Sequence, residues 1–366
     1  MSNSTTAVKP ADHLNVLIDA LETPPKLLNT FITPAEHFFV CSAVSPPRID
    51  ADTWSMQIHG DAVEQTVRIT FDNLLQMPTH TVISCLECAG SGRALFNLVH
   101  GKTPESDELN MTPWLFGGAG NAMWTGVKLR DVLDLTGVKA NALDVNTKGL
   151  DKEAAEGGVS RPIPIEKALD PDTILAYMMN GEMLLPDHGY PVRLIVPGWI
   201  GSNSVKWVGS IEVSSEKIWV DRNIKHYVMM GDEWESEKEG NALGGPITTQ
   251  NIKSSINLEW NAILPAGKNL LRGIARSPHA RIQKVEWSVS DADGNVVQSG
   301  EAKLLPPFLK YAWVHFEFAW NAALGEWVLR TRATDEAGNV QPEEIPFNLE
   351  GYLFNQVIPH PVVVVG

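Results

Sequence analysis

The sequence predicts an α+β protein in which a mixed α/β body precedes an all-β sandwich. Three observations carry that reading. The chain has 366 residues, a length that favours two domains over one. Up to about residue 245, short apolar runs alternate with Gly and Pro, and only brief stretches keep a helical spacing. Beyond the acidic, glycine-rich stretch "MGDEWESEKEGNALGGPITTQN", the pattern turns to alternation of apolar and polar residues.

Residues 1–30 read as an N-terminal arm. Leu14, Val16, Leu17 and Leu21 would line one helix face there, and "TPPK" would stop it. Residues 31–245 read as the body. Within it, "TFDNLLQM" and "KLRDVLDLTGV" place apolar residues three and four apart and predict helices. "PVRLIVPG" and "VKWVGSIEVSS" predict strands. No P-loop and no dinucleotide-binding glycine pattern occurs in a strand–turn–helix context. The acidic stretch reads as a linker. In residues 246–366, "KVEWSVSDADGNVVQSGEAKL" is strand, Asp-Gly turn, strand, and "HFEFAW" and "WVLRTRATDEAGNV" alternate. That grammar predicts a β-sandwich of immunoglobulin type.

A net charge of -15 argues against nucleic acid or an anionic membrane surface as partner. The longest apolar runs are too short and interrupted to span a bilayer. Three cysteines make no disulfide framework and suit a reducing compartment. The N-terminus carries neither a basic stretch leading into an apolar one nor a twin arginine. The expectation is therefore a cytoplasmic protein.

Two of the cysteines lie in "ISCLECAGSGRALF", residues 83–96. A zinc site needs four ligands, and neither Cys41 nor any histidine stands at a matching spacing. Haem attachment fails because Ala89 follows Cys88. A dithiol redox pair would open a helix, and here "AGSG" follows. Two readings stay open on these residues alone. One thiolate anchors a soft transition metal beside a glycine turn and Arg93, or the cysteines simply pack.

Four further motifs bear on the choice: "CAGSGR", "HGYPVR", "PGWIG" and "SVKW" occur in that order. In them the chain resembles the sulfite oxidase family of molybdenum-cofactor enzymes. "GNAMWTGVKLRDVL" and "AYMMNGEMLLPDHG" are similar to that family too, and "RATDEAGNVQPEE" resembles its dimerisation domain. The resemblance covers roughly residues 30–366. It implies a molybdenum–molybdopterin cofactor, with Cys88 as the metal ligand and Cys85 a core residue. It implies that His188, Arg193, Ser204, Val205 and Lys206 hold the pterin's phosphate, and that Asp151 accepts from the pterin ring. Arginine's fork, lysine's point charge and loop N–H groups suit a phosphate. By the same resemblance Arg93 lies beside the substrate, Trp114 lines the pocket and Tyr227 stands near the site of oxygen transfer.

The chain departs from the family pattern at two places. "FFVCSA" puts Cys41, Ser42 and Ala43 where the family has Arg-Asn-His, and "NLEGYL" puts Glu350 where it has arginine. A charge-assisted contact is worth roughly 1.5–3 kcal/mol. Two lost arginines therefore cost a sulfite dianion about a hundredfold or more in affinity. The expectation is an oxidoreductase that transfers an oxygen atom between water and a small substrate. A sulfur compound is the first choice, and a neutral or zwitterionic S- or N-compound, oxidised or reduced, the alternative. A non-catalytic molybdopterin carrier is the rival of another class, and an adhesion module led by the sandwich a remoter one. No haem or iron–sulfur motif is present, so the electron acceptor would be separate: a cytochrome-like protein or dioxygen. The resemblance also implies a homodimer.

Overall fold

The computed structural model describes residues 15–16, 20–104 and 112–366. These residues are mostly sheet, and the longest described helix, Arg93–His100, has 8 residues. Two sheets enclose the first core. One runs Glu182–Met183, Ile174–Met179, Ala119–Lys128, Thr79–Glu87, with Arg193–Ile195 also paired to Ile174–Met179. The other runs Val67–Thr70, Ser55–His59, Val208–Ser214, Asp144–Gly149, Ser160–Pro164. Val127, Leu175 and Leu194 of the first meet Ile58, Val145 and Ile211 of the second in one buried cluster. This contact is the two-layer solution to burying one apolar face per sheet.

Both body helices form where the spacing predicts them. Phe71–Gln76 starts at Thr70, whose hydroxyl accepts from the Asn73 N–H while Asn73 Oδ1 accepts from the Thr70 N–H. This reciprocal cap satisfies two donors that a helix start leaves open. Leu129–Leu133 passes into a 3-10 turn and stops at Gly137, whose φ of 67° favours glycine.

After residue 250 two more sheets share a core. One is Lys253–Ile256, Gly267–Arg276, Val314–Ala322, Lys303–Leu305; the other is Ala262–Pro265, His360–Val365, Gly325–Asp335, Ile282–Ser290, Val296–Glu301. Trp287 of the second stacks on Phe318 of the first with ring centroids 4.6 Å apart. The hairpin expected around the Asp-Gly turn joins Ile282–Ser290 to Val296–Glu301.

Two expectations are corrected. In the arm, Asn15–Val16 and Ala20–Glu22 are strands, and Ala20–Glu22 pairs with Val40–Cys41. Leu14 and Leu17 lie outside the described residues. A short stretch before two prolines is a weak isolated helix, and strand pairing satisfies its backbone. The acidic stretch is not a free linker. The Ile247 N–H donates to the Tyr227 carbonyl at 2.8 Å, the Leu243 N–H to Ile224 at 2.7 Å, and Trp234 Nε1 to Phe347 at 3.1 Å. Of its apolar residues, Trp234, Ala242 and Ile247 are buried or half-buried anchors, while Leu243 is exposed.

Candidate active site

The Thr79–Glu87 strand delivers Cys88 to the head of a turn. The Cys88 N–H donates to the Gly118 carbonyl at 2.8 Å, and its own carbonyl accepts from Ser91 at 2.9 Å. Gly90 lets the Arg93 guanidinium fold back over this turn, since a Cβ there would meet it at 2.7 Å. Cys88 opens into a cavity that Cys41, Asp151, Arg193, Lys206 and Tyr227 also line.

One end of the cavity is cationic. Arg193, on the buried Arg193–Ile195 strand, donates to the carbonyls of Ser204 and His188 at 3.2 and 3.3 Å and lies over the Trp124 ring. It forms no ion pair among the described residues, and burial pulls it down to about 9. Lys206 Nζ donates to the carbonyls of Cys41 and Asp187 and to the Ser42 hydroxyl, all neutral acceptors. Burial first, then Arg193, brings it down to about 7. Asp151 spends Oδ1 on the Val159 N–H at 3.0 Å, while its buried Oδ2 and the Ser202 hydroxyl have no protein partner. A buried and a half-buried cation without carboxylate partners, and unsatisfied polar atoms around the same space, are what a bound anion with ring donors would complete.

The other end is thiol and phenol. The Cys88 thiol is raised well above its ordinary value by a hydrogen bond with Cys41 and by burial, against the pull of Arg93. Cys85, by contrast, is enclosed in the core, where burial pushes it up to about 12. Tyr227 is pushed up to about 12 by burial and stays a neutral donor at ordinary pH. Trp207 and Tyr227, at φ 53° each, are held in the left-handed region that non-glycine residues enter at a cost of ~1–3 kcal/mol.

Of the residues singled out from sequence, Cys41, Cys88, Asp151, Arg193, Ser204, Val205, Lys206 and Tyr227 all meet at this cavity. Four stand behind its wall. Trp114 does not line it: the ring is 1% exposed and packs edge-on against Phe39, which does. His188 sits under Arg193, its Nε2 within 3.3 Å of the Ala35 carbonyl. Arg93 turns inward, donating from Nε to the Glu350 carbonyl and from Nη1 to the Thr112 carbonyl, both at 2.9 Å. Glu350 is buried beside it and hydrogen-bonds the Tyr352 side chain. In each case the motif residue keeps its place in the chain while its side chain serves the layer beneath.

Sequence reasoning missed three features. Arg222 also lines the cavity. Arg161 is buried beside it, with nothing in "VSRPIPI" to mark it. Glu87, one residue before Cys88, is buried with Lys253 and Arg276 from the C-terminal sheets. Burial would raise the Glu87 carboxyl, but the two cations outweigh it and hold it at about 2. Only the fold brings those three charges together.

The chain is similar to proteins of known activity. Residues 43–219 match the oxidoreductase molybdopterin binding domain family, and they include Cys88, Asp151, Arg193 and Lys206. The chain is 30% identical to mitochondrial sulfite oxidase of Rattus norvegicus over 365 residues, covering 92% of this chain and 64% of that protein. It is 29% identical to sulfite oxidase of Arabidopsis thaliana, covering 94% and 93%. Over nearly its whole length the chain is similar to the sulfite oxidases. The matched domain and these relatives imply a molybdenum–molybdopterin cofactor. The sulfite oxidase family fold is seen again in the sulfane dehydrogenase SoxCD of Paracoccus pantotrophus, at a TM-score of 0.77 and 24% identity over 95% of this chain and 87% of that one. Nitrate reductase [NADH] 1 of Oryza sativa subsp. japonica is also similar, 32% identical over 89% of this chain and 37% of that protein. The chain spans about 64% of the length of the rat and mouse relatives.

Proposed function

We propose that the chain is a molybdenum-cofactor oxidoreductase that transfers an oxygen atom between water and a small substrate, with a sulfur compound as first candidate. One observation carries the reading: a single cavity joins the Cys88 thiol to the buried Arg193 and the half-buried Lys206, whose hydrogen-bond acceptors are all neutral. A metal-bearing pterin phosphate needs those two chemistries at its two ends.

When bound, the cofactor supplies the two-electron change and the exchanged oxygen atom. The protein supplies the rest. Cys88 would give its thiolate to the metal. Arg193 and Lys206 would hold the phosphate, one as a planar fork and one as a point charge. Ser204 accepts the Val196 N–H at 3.1 Å, which leaves its hydroxyl proton for the phosphate, and Val205 brings loop backbone to the same place. Asp151 Oδ2 would accept from the pterin ring. Tyr227 would donate its hydroxyl to charge developing on the substrate oxygen. His188 would act from behind, fixing Arg193 through its carbonyl.

A second reading concerns the substrate. Cys41 rather than a cation stands beside Cys88, and Arg93 is turned away from the cavity onto the Glu350 and Thr112 carbonyls. That arrangement favours a neutral or zwitterionic S- or N-compound over a free dianion. Electrons would pass to a separate acceptor, a small basic cytochrome or dioxygen. The paired sheets after residue 250 support a sandwich of immunoglobulin type and the division near residue 245. Ile263 is 71% exposed and pairs in register with exposed Val363. This apolar edge supports a homodimer.

The test is sulfite-dependent reduction of ferricyanide by protein whose molybdenum is confirmed by elemental analysis. Turnover at micromolar sulfite establishes the first reading. Loaded protein inert to sulfite, but reoxidised from a reduced dye by S-oxides or N-oxides, establishes the second. Protein that takes up no molybdenum sinks both.

A further inference from the structure

Arg161 lies on the Ser160–Pro164 strand and is 2% exposed. No carboxylate pairs with it among the described residues. Its Nη2 donates to Asn203 Oδ1 at 3.3 Å and to the Ile247 carbonyl at 3.0 Å, while Nε and Nη1 are buried with no protein acceptor. A buried, unpaired charge is costly unless something specific is gained from it.

What it touches is the Tyr227 ring. The guanidinium lies 4.9 Å from that ring's centroid. Tyr227 is also stacked on Tyr352, centroids 5.3 Å apart and planes within 14°. The Arg222 guanidinium lies farther off, 5.9 Å from the Tyr227 centroid, and Arg93 lies 5.2 Å from the Tyr352 centroid. Arg161 is thus the nearer of two cations on a phenol whose ring is held by a second, stacked phenol. Burial lowers Arg161 to about 10, so it stays charged at neutral pH.

The phenol needs such a clamp. No described residue hydrogen-bonds the Tyr227 hydroxyl, so nothing at the polar end fixes the ring. Its backbone, at φ 53°, is strained and has to be held by its surroundings. The contacts of Arg161 and Tyr352 with the ring therefore carry the positioning.

We propose that Arg161 is the positioning residue for Tyr227, with Tyr352 stacked on the same ring, so that the phenol presents its free hydroxyl to the cavity. Arg161 itself touches no reacting atom. The inference rests on Tyr227 being the donor at the oxygen-transfer site, but its test does not depend on the substrate.

The experiment is fluorine NMR of the full chain grown with 3-fluorotyrosine, in wild type and in Arg161→Gln, Arg161→Lys and Tyr227→Phe variants. The chain has five tyrosines, and Tyr227→Phe assigns the signal by its loss. In Arg161→Gln the Tyr227 signal should move toward the position of a solvent-exposed tyrosine and broaden. Arg161→Lys keeps a cation over the ring and should restore it. A signal unmoved in Arg161→Gln, with only the unfolding midpoint lowered, makes Arg161 structural and overturns the proposal. So does a signal that moves equally in the Lys variant. If Arg161→Gln does not fold, Tyr352→Leu removes the stacked ring and must displace the same signal, and an unmoved signal there is equally fatal.

Discussion

The Cys41 thiol is hydrogen-bonded to the Cys88 thiol inside the cavity. Cys41 belongs to the short Val40–Cys41 strand paired with Ala20–Glu22, and Lys206 holds its carbonyl at 3.0 Å. Two separate segments therefore fix it against the residue that would bind the metal.

This contact yields the first prediction. The Cys41 hydrogen bond is the largest cause raising the Cys88 thiol. In cofactor-free protein, Cys41→Ala should lower that thiol's pKa and speed its alkylation by iodoacetamide at neutral pH. Mass spectrometry of the Cys88 peptide reads the rate. An unchanged or slower rate would show that the contact does not hold Cys88 protonated.

The second prediction concerns pH. Lys206 falls from an ordinary 10.5 to about 7 in the folded protein. Between those values the unfolded chain binds more protons, so the stability of cofactor-free protein rises with pH across that window. Arg193, at about 9, adds to the rise only above pH 9. Urea midpoints measured from pH 7 to 9 should therefore climb, and Lys206→Met should flatten the climb. An equal slope in the variant would place the titration elsewhere.

A third prediction separates an enzyme from a cofactor carrier. Arg193, Lys206 and Asp151 bound the cavity independently of Cys88. Cys88→Ser should keep most pterin binding, read by the fluorescence of the released and oxidised pterin, and lose catalytic turnover. If pterin and turnover both survive, the thiolate assignment fails. If wild type binds pterin but never turns over, the carrier reading gains.

Much of this was legible in the sequence because the cavity's residues come in short local motifs. "CAGSGR" fixes a turn, and "HGYPVR" and "SVKW" place Arg193 and Lys206 on adjoining backbone. Local motifs do not say which way a side chain faces. Arg93, Trp114, His188 and Glu350 are near the site but turn into the layer beneath it, because burial there is satisfied by carbonyls and rings far away in sequence. The acidic stretch misled for a similar reason: Trp234, Ala242 and Ile247 anchor it, against an average composition that reads as linker. Arg161 and Tyr352 left no signal, since their meaning lies in a stack assembled from four distant segments.

The last prediction tests how the two ends of the chain are joined. Glu87 Oε1 meets Lys253 Nζ at 2.8 Å, and Arg276 Nε meets Glu87 Oε2 at 2.9 Å, all three side chains less than a tenth exposed. Glu87 immediately precedes Cys88, so this cluster anchors the thiol's strand to the C-terminal sheets. Glu87→Gln would leave two buried cations without their carboxylate, at a cost of about 3–5 kcal/mol. The carboxyl's folded value, about 2, lies below its ordinary 4.5. Its contribution is therefore complete above pH 4.5 and is lost as pH falls toward 2. Acid unfolding of the wild type should show that loss, and Glu87→Gln should start lower and fall less over the same window. A double substitution, Glu87→Gln with Lys253→Met, should recover part of the stability, because it removes one stranded charge. If the double variant is weaker by the sum of the two single losses, the three groups are not acting as one network.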